Sequence, residues 1–407
     1  MRHIPTLVIG AGQAGLAMSR CLRDRSVHHV VLERGSSPAP AWVNERWDSL
    51  RLLTPNWQSR LPGFAYGGPD PDGFMTMPEI AAFLSDYAQG APLETGTTVR
   101  SVRAEGRGYR VETNRGDWLA QAVVMATGAC RRAQVPACAS AAPLAQITPL
   151  DYKSPAQLGR GGVLVVGASA TGIQLAAEIA AAGHEVMLAA GHHIRMPRHY
   201  RGRDIQWWMD RTGTNHVTTD QIDDVDRARR VPSLQLTGSR AAQFTDLNAL
   251  QAQGIEITGR LADIREGRAV FSGSLANACA LSDLKMNRLL REIDAWAEIH
   301  APDAGPPESF APTLTPSSPR LSASLTDGRF RTILWATGYA PDFGWLDLPV
   351  FDRKGRLVHD DGHVAPGLYV LGLPFQRRRM SALIDGVGAD AAEIADHLTE
   401  TRLFRAA

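Results

Sequence analysis

The sequence predicts an α/β fold built on parallel sheets, and three observations support that prediction. Short, continuously apolar runs recur along the 407 residues, as is typical of parallel strands that are buried on both faces. Stretches of helical character, such as 15–23 and 172–182, lie between some of these runs. A strand, a glycine-rich turn and a helix occur near residue 10 and again near residue 167. This alternation predicts two doubly wound domains of similar design.

Each expected strand has its own apolar signal. The runs that favour strands are residues 7–9, 30–32, 123–125, 163–166, 186–188, 333–335 and 368–371. Residues 98–113 differ because they are β-rich but broken by glycines, and they predict an antiparallel excursion from a parallel sheet. Six prolines between 301 and 325 exclude a continuous helix there. That segment is either a linker or a crossing that lines a cleft between domains.

Charge and cysteine content exclude several functional classes. Lys plus Arg total 43 against 42 for Asp plus Glu, so neither nucleic acid nor an anionic membrane is an expected partner. No apolar run reaches the ~18–20 residues of a membrane span, and no export signal is recognised, so a cytoplasmic location is expected. The four cysteines include no pair separated by only two residues, and the histidines show no ligand spacing. We therefore expect no disulfide scaffold, redox pair or metal site.

The first glycine turn has the pattern of a dinucleotide site. Residues 7–15 read Leu-Val-Ile-Gly-Ala-Gly-Gln-Ala-Gly. Gly10 permits the tight turn, Gly12 lets the backbone approach a pyrophosphate, and Gly15 allows close packing of helix on strand. The helix N-terminus offers free N–H groups to the phosphates. Glu33 ends the next strand, where a carboxylate can accept hydrogen bonds from a ribose diol.

The second glycine turn repeats the pattern with one change. Residues 163–172 read Val-Leu-Val-Val-Gly-Ala-Ser-Ala-Thr-Gly. Gly167 and Gly172 hold the first and third glycine positions, and Ser169 replaces the middle glycine with another small residue. A second dinucleotide site is therefore expected at this turn.

The region after the second turn favours NADPH over NADH. The strand that ends at Ala190 has no terminal acid, and the loop that follows carries His192, His193, Arg195, Arg198, Arg201 and Arg203. Basic groups favour a 2′-phosphate through charge-assisted hydrogen bonds. We predict that Arg195 and Arg198 bind this phosphate. The alternative is that the arginines form a solvated basic loop without a ligand.

Together these motifs resemble the class B flavoprotein monooxygenases, which include flavin-containing monooxygenases, plant YUCCA enzymes and related bacterial flavoproteins. The resemblance covers nearly the whole chain. It includes Ala-Thr-Gly at 126–128 and again at 336–338. It also includes Trp-Asp-Ser-Leu-Arg-Leu-Leu-Thr-Pro at 47–55, which is similar to the flavin-side loop of the bacterial members. It implies two Rossmann-like domains, with an FAD domain in two parts, 1–150 and 309–407, and an NADPH domain inserted at 151–308.

The resemblance also implies an activity. In that family, hydride passes from NADPH to FAD, and the reduced flavin and O2 form a C4a-(hydro)peroxyflavin that transfers oxygen to a nitrogen, sulfur or ketone substrate. The expected partners are a small-molecule substrate and O2, and a homodimer is compatible with the sequence. The alternatives are an NADPH-dependent flavin oxidase or reductase that oxygenates nothing, and a flavin or nucleotide sensor without turnover.

Two departures from the family pattern concern catalysis. Thr148 stands where the family carries a histidine in the interdomain signature, although Tyr152 fits its aromatic end. The family's asparagine beside the flavin has no clean match, and Asn56 is the nearest candidate for that catalytic role. The cofactor-binding residues predicted from the motifs and the resemblance are Gly10, Gly12, Gln13, Ala14, Gly15, Glu33, Arg34, Trp42, Arg46, Trp47, Thr54, Val99, Ala126, Thr127, Gly128, Gly167, Ser169, Thr171, Gly172, Arg195, Arg198, Thr337, Gly338, Tyr339, Gly372 and Arg379.

Overall fold

A computed structural model describes residues 1–239 and 244–406, and it contains two parallel sheets. Along its main path the first sheet has the order His363–Ala365, Leu368–Val370, Trp118–Met125, Arg2–Ile9, His29–Leu32 and Leu93–Glu94. Its neighbours run parallel apart from the pair that includes the edge strand His363–Ala365. The strands Val99–Glu105 and Gly108–Thr113 continue this sheet as an antiparallel meander beside Trp118–Met125. The predicted antiparallel excursion is confirmed.

The second sheet repeats the parallel design. Its order is Ala145–Ile147, Phe330–Trp335, Gly162–Val166, Val186–Ala190 and Glu256–Gly259, with every neighbouring pair parallel. Beside it lies a three-stranded antiparallel sheet of Leu261–Arg265, Arg268–Phe271 and Ser322–Ser324. All five residues of Gly162–Val166 and of Val186–Ala190 are buried. Burial on both faces explains why these strands read as continuously apolar.

Helices cover both sheets. The α-helices in the described residues are Gln13–Asp24, Pro40–Asn44, Met77–Tyr87, Ala170–Ala181, Ile205–Arg211, Val225–Arg229, Leu247–Ala252, Leu275–His300 and Ile384–Ala406. Leu16 and Leu22 of the first helix share one buried cluster with Val387 and Ile394 of the last. The C-terminal helix therefore completes the first domain. No helix among the described residues is both long and apolar enough to cross a membrane.

The strand pairing moves the predicted domain boundaries. The strands Ala145–Ile147 and Phe330–Trp335 both belong to the second sheet, whereas boundaries at 150 and 308 would assign them to the first domain. The chain instead leaves the first sheet after Met125 and returns to it beyond Trp335. The physical reason is hydrogen bonding, because Phe330–Trp335 pairs with both Ala145–Ile147 and Gly162–Val166 within the second sheet.

The two crossings between the domains are joined to each other. Arg132–Ala133 pairs antiparallel with Tyr339–Ala340, and the backbone N–H of Gln134 donates to the carbonyl oxygen of Gly338 at 2.9 Å. The hydroxyl of Thr337 donates to the carbonyl oxygen of Gln134. Both passages between domains therefore run side by side as one short ladder.

Candidate functional site

The first glycine turn joins the first strand to the first helix and leaves no space for a side chain at Gly10 or Gly15. Gly10 has φ of +104°, and a Cβ on it would stand 2.6 Å from the carbonyl oxygen of Ala126. A Cβ on Gly15 would stand 1.8 Å from the carbonyl oxygen of Gly10. Any larger residue at either position forces the helix away from the turn.

Gly12 has the opposite surroundings. A Cβ on it would meet nothing within 4 Å, so its Cα faces open space. Gly12 is the N-cap of the helix Gln13–Asp24, and no side chain caps it. Helix geometry leaves the N–H groups of Gln13 and Ala14 without an intrahelical acceptor. Open space in front of free N–H groups fits the pyrophosphate of a dinucleotide.

Glu33 is fixed at the rim of this turn. It is 6% exposed, and its carboxylate accepts hydrogen bonds from the backbone N–H of Ala11 at 2.9 Å and of Gly35 at 2.8 Å. Each oxygen keeps further acceptor capacity for a ribose hydroxyl. The N–H of Thr97 donates to the carbonyl oxygen of Glu33 at 2.8 Å, which brings Val99 to the same end of the site.

The first crossing presents an unsatisfied hydroxyl to this site. The Thr127 hydroxyl oxygen is buried and has no hydrogen-bond partner among the described residues. Gly128 has φ of +82° and open space beside it, while a Cβ on Gly372 would stand 3.0 Å from the Ala14 Cβ. A buried hydroxyl without a partner is costly, so a polar ligand group at Thr127 fits the observed arrangement. Ala126 is the backbone contact of Gly10 described above.

Four of the side chains predicted to bind a cofactor form a connected group with Glu45. Trp42 donates from Nε1 to the side-chain oxygen of Gln13 at 3.3 Å, and the Arg46 guanidinium lies 5.6 Å from the Trp42 ring centroid. Arg46 also donates to the carbonyl oxygen of Glu45 at 2.8 Å, while Arg34 pairs with the Glu45 carboxylate at 2.7 Å. This network holds residues 34–46 against the first helix, Gln13–Asp24.

Trp47 lies at the contact between the domains. It is 4% exposed and shares a buried cluster with Tyr152 and core residues of the second domain. The Tyr152 hydroxyl donates to one oxygen of Glu178 at 3.0 Å, and the Ser49 hydroxyl donates to the other. Burial and the Glu178 carboxylate together raise the pKa of Tyr152. Trp47 therefore packs between domains, and its contact with a cofactor stays a prediction.

Asn56 supports a loop with both ends of its amide. It is 4% exposed, its Nδ2 donates to the carbonyl oxygen of Asp70 at 2.9 Å, and its Oδ1 accepts from the N–H of Met75 at 2.8 Å. These bonds give Asn56 a positioning role in the loop that follows Thr54. A direct catalytic role for Asn56 stays a prediction, because the amide keeps a second N–H and a second lone pair for a ligand.

A cavity of about 510 Å³ opens beside Asn56. Its walls include Phe64, Tyr66 and Phe74, and Arg51 reaches into the same region by donating to the carbonyl oxygen of Phe74 at 2.9 Å. The volume suits a small organic molecule. Most of its walls come from residues 56–86, and Arg51 is the lining residue that belongs to the segment 47–55.

The second glycine turn repeats the contacts of the first. Gly167 has φ of +109°, and a Cβ on it would stand 2.3 Å from the carbonyl oxygen of Ala336. A Cβ on Gly172 would stand 1.8 Å from the carbonyl oxygen of Gly167. Ser169 is the N-cap of the helix Ala170–Ala181, and its hydroxyl makes no capping bond. This turn also leaves a helix N-terminus available to a phosphate.

The second crossing lies over this turn. Burial raises the pKa of Tyr339, and a hydrogen bond from the Thr171 side chain partly offsets that rise. Gly338 has φ of +97° and open space beside it. Thr337 is engaged in the ladder between the crossings. Tyr339 and Thr171 thus link the crossing to the helix that begins at the turn.

The predicted phosphate contact of Arg195 needs correction. Arg195 is 3% exposed, and it donates to Asp246 at 2.8 Å, to Asp283 at 2.8 Å and to the carbonyl oxygen of Ala311 at 2.8 Å. Ala311 belongs to the proline-rich segment, which packs on the second domain. Arg195 is therefore an interior ion-pair residue that holds this segment.

Arg198 is also buried, against prediction. It is 1% exposed, and two of its nitrogens donate to the two carboxylate oxygens of Asp204 at 2.7 and 2.6 Å. Its remaining terminal nitrogen donates to the carbonyl oxygen of Leu53 at 2.7 Å. Arg198 therefore fastens the second domain to the flavin-side loop and does not face solvent.

The other predicted basic residues differ in their surroundings. Arg201 pairs with Asp294 at 2.8 Å. Arg203 is exposed, and its guanidinium lies 4.4 Å from the ring centroid of Trp207. Arg379 is exposed at the loop after the last strand of the first sheet, and its N–H donates to the carbonyl oxygen of Val217 in the second domain at 3.0 Å. Arg379 therefore lies where the two domains meet.

Gln235 is a candidate that the sequence reasoning missed. Its Nε2 donates to the carbonyl oxygen of Ala168 within the second glycine turn at 2.7 Å. Its Oε1 is buried without a hydrogen-bond partner among the described residues, and the side chain is 1% exposed. A Cβ on nearby Gly238 would stand 2.1 Å from the carbonyl oxygen of Leu52. The segment therefore spans from the second turn to the flavin-side loop, and no sequence motif marks it.

The family follows from comparison with known proteins. The profile of the pyridine nucleotide-disulphide oxidoreductase family matches residues 7–224. The chain belongs to this family. Membership, together with the two dinucleotide folds, confirms the predicted FAD and NADPH as cofactors and the predicted α/β class.

Individual relatives extend the family match to the whole chain. An uncharacterized CzcO-like oxidoreductase of Geobacillus kaustophilus is 33% identical over 399 residues, covering 96% of this chain and 97% of the relative. Indole-3-pyruvate monooxygenase YUCCA1 of rice is 29% identical over 207 residues, covering 48% of this chain and 50% of the relative. The predicted resemblance to YUCCA enzymes is confirmed.

Solved structures give the same fold. A flavin-containing monooxygenase from Stenotrophomonas maltophilia matches with a TM-score of 0.69 at 21% identity, covering 98% of this chain and 99% of that one. The bacillithiol disulfide reductase of Staphylococcus aureus matches with a TM-score of 0.63 at 11% identity, covering 98% and 99% of the two chains. These likenesses show the fold, which oxygenating and disulfide-reducing flavoproteins share.

The cysteines of this chain bear on whether it could reduce disulfides. All four are free thiols. Burial raises the pKa of Cys21 and of Cys279 to about 11, and burial also raises the pKa of Cys130 and Cys138. Thiols with raised pKa values are weak nucleophiles at neutral pH. No cluster of three or more metal-ligating side chains occurs in the described part of the chain.

Proposed function

We propose that this protein is a flavin-dependent monooxygenase that consumes NADPH and O2 and transfers one oxygen atom to a small-molecule nitrogen, sulfur or ketone substrate. FAD at the first turn would accept hydride from NADPH at the second and supply the chemistry of O2 activation. The protein supplies binding, orientation and exclusion of water. The relatives support the oxygenating class, and the cysteine chemistry disfavours disulfide reduction.

The observation that carries the proposal is the contact between the second domain and the flavin-side loop at 47–55. Arg198 of the second domain donates to the carbonyl oxygen of Leu53 at 2.7 Å, and Gly238 meets the backbone of Leu52. These contacts hold the second domain, with its glycine turn, against the flavin-side loop. Hydride transfer requires such placement, because reacting atoms have to approach to about 3–3.5 Å.

The substrate belongs in the cavity beside Asn56 in this proposal. Aromatic walls from Phe64, Tyr66 and Phe74 favour a substrate with an apolar part, and Arg51, Asp70 and Glu79 in the same lining can orient its polar atoms. We expect Tyr66→Ala to raise KM for the oxygenated substrate several-fold while leaving the anaerobic rate of flavin reduction by NADPH unchanged. Tyr66→Phe is the matched control, because it keeps the ring and loses only the hydroxyl. An unchanged KM in Tyr66→Ala would exclude this cavity as the substrate site.

The activity is tested with FAD-loaded protein, NADPH and a panel of amines, sulfides and ketones. NADPH oxidation, hydrogen peroxide and product mass are followed together in ¹⁸O2. The proposal expects a co-substrate that gains one labelled oxygen atom while little peroxide accumulates. Stoichiometric peroxide with every compound would instead establish an oxidase, and NADPH oxidation that depends on an added electron acceptor would establish a reductase. Bound FAD without turnover would identify a sensor.

A further inference from the structure

The carboxyl end of the strand Val186–Ala190 is the place where a ribose 2′-phosphate would lie. In doubly wound folds, the strand after the glycine turn and its helix ends at the adenosine ribose, and the residues there distinguish a 2′-hydroxyl from a 2′-phosphate. Gly191 follows this strand, and the two arginines expected to bind the phosphate are buried in ion pairs. The cation for this position has to come from another part of the chain.

The neighbouring strand supplies one. Glu256–Gly259 runs parallel to Val186–Ala190, and Ala190 pairs with Gly259. The next residue on each strand, Gly191 and Arg260, therefore lies at the same edge of the sheet. The side-chain carbons of Arg260 lie 3.4–3.7 Å from the point where a Cβ on Gly191 would stand. Arg260 extends across Gly191, and the absence of a side chain there makes room for it.

The Arg260 guanidinium is available to bind an anionic ligand. It is exposed, and it takes part in no ion pair or side-chain hydrogen bond among the described residues. Its carbonyl oxygen accepts from the N–H of Ser272 at 2.9 Å, which fixes the backbone from which the side chain extends. The exposed His192 lies on the same edge. A fixed backbone and a free guanidinium suit recognition of a phosphate by two hydrogen bonds.

We propose that Arg260 is the residue that binds the 2′-phosphate and gives the chain its preference for NADPH. The inference rests on the coenzyme half of the proposed function and does not depend on oxygen transfer. Arg260 is a specificity-determining residue here, because it contacts the group that distinguishes NADPH from NADH and takes no part in the chemistry.

The test uses the FAD-loaded full chain and two probes, adenosine 2′,5′-bisphosphate and 5′-AMP, with binding measured by calorimetry. We expect wild-type protein to bind the bisphosphate about tenfold more tightly than 5′-AMP, because a charged hydrogen bond to phosphate contributes an affinity gain of that size. The ratio of these two affinities is the quantity compared between variants. Arg260→Gln should reduce this ratio to about one to two and leave the 5′-AMP affinity unchanged. Arg260→Lys should retain part of the ratio. Arg203→Gln is the matched control, because Arg203 is exposed on the loop that the sequence favoured, and it should retain the full ratio.

Several outcomes overturn the inference. A full ratio in Arg260→Gln, a lost ratio in Arg203→Gln, or equal affinities for the two probes in wild-type protein would each contradict it. If Arg260→Gln also loses 5′-AMP affinity through misfolding, Arg260→Lys decides: a reduced ratio with normal 5′-AMP affinity supports the assignment, and a full ratio refutes it. A ratio that depends on Arg260 in a protein that oxygenates nothing would leave this inference standing while the proposed function fails.

Discussion

The two glycine turns share a backbone and differ in the side chains around them. In both, a Cβ on the third position would stand 1.8 Å from the carbonyl oxygen of the first. In both, a Cβ on the first would approach the alanine of an Ala-Thr-Gly crossing, at 2.6 Å for Gly10 and 2.3 Å for Gly167. These close contacts specify the turn itself. They are identical in kind at both sites and carry no information on which dinucleotide binds.

The difference lies at the ends of the strands that follow the turns. Glu33 ends the second strand of the first domain and is fixed there by two backbone N–H groups. The equivalent strand of the second domain ends at Ala190, and the charged neighbour Arg260 comes from the adjacent strand. A carboxylate suits a ribose diol and a guanidinium suits a phosphate. The same backbone arrangement can therefore bind two different dinucleotides, because residues outside the glycine motif contact the ribose.

The largest expected effect comes from filling the middle position of each turn. Gly12→Val places a side chain where a pyrophosphate would lie, so we expect colourless protein that has lost FAD. Ser169→Val should yield yellow protein that no longer binds NADP⁺, because only the second turn is altered. Flavin absorbance and NADP⁺ calorimetry on both variants measure the contrast. Retained FAD in Gly12→Val, with correct folding by circular dichroism, would contradict the assignment of the first turn.

A smaller effect is expected at Glu33. Glu33→Gln removes the charge that accepts from Ala11, Gly35 and the proposed ribose hydroxyls, and we expect FAD affinity to fall by about ten- to a hundredfold. Glu94→Gln is the control, since Glu94 lies on the adjacent strand and pairs with Arg2 at 2.8 Å on the surface. FAD is first removed from each variant by dialysis, and titration of the resulting apoprotein with FAD then gives both affinities. Equal FAD affinities in the two variants would show that Glu33 does not read the ribose.

The smallest effect is expected from the amide at the second turn. Gln235→Leu removes the bond to the carbonyl oxygen of Ala168 and the buried Oε1, and we expect NADP⁺ affinity to fall several-fold. FAD content should not change, because the first turn is remote from this contact. Gln251→Ala is the control, since Gln251 hydrogen-bonds the carbonyl oxygens of Leu247 and Leu314 and has no hydrogen bond to the second turn among the described residues. Calorimetry that finds equal losses in both variants would assign Gln235 a purely structural role.

The sequence predicted the elements that depend on local pattern. Six of the seven apolar runs lie wholly within strands, the run 368–371 extends one residue beyond Leu368–Val370, and both glycine turns have the expected geometry. Buried parallel strands and tight strand-to-helix turns leave a signature within ten residues of chain. The antiparallel meander at 99–113 followed from the same local reading.

Long-range partners were not predictable from the sequence. The charges that neutralise Arg195 lie at Asp246 and Asp283, some fifty and ninety residues away, so nothing local distinguished a buried arginine from a solvated one. The domain boundaries moved for a similar reason, because the pairing of Ala145–Ile147 with Phe330–Trp335 joins distant segments. Arg260 belongs to no motif, and only strand register brings it beside Gly191. Ion pairs and strand register between distant segments can be identified only once the fold is known.

The central claim is that NADPH bound at the second turn transfers hydride to a flavin bound at the first turn. Anaerobic reduction of the bound flavin tests this claim most directly. Wild-type protein, Ser169→Val and Arg260→Gln are mixed with NADPH without oxygen, and loss of flavin absorbance is followed over a range of NADPH concentrations. The account predicts rapid bleaching in wild-type protein, no bleaching in Ser169→Val, and bleaching that needs about tenfold more NADPH in Arg260→Gln. Dithionite should reduce all three, which shows that each flavin is redox-active. A wild-type flavin that dithionite bleaches and NADPH leaves oxidised would contradict the account.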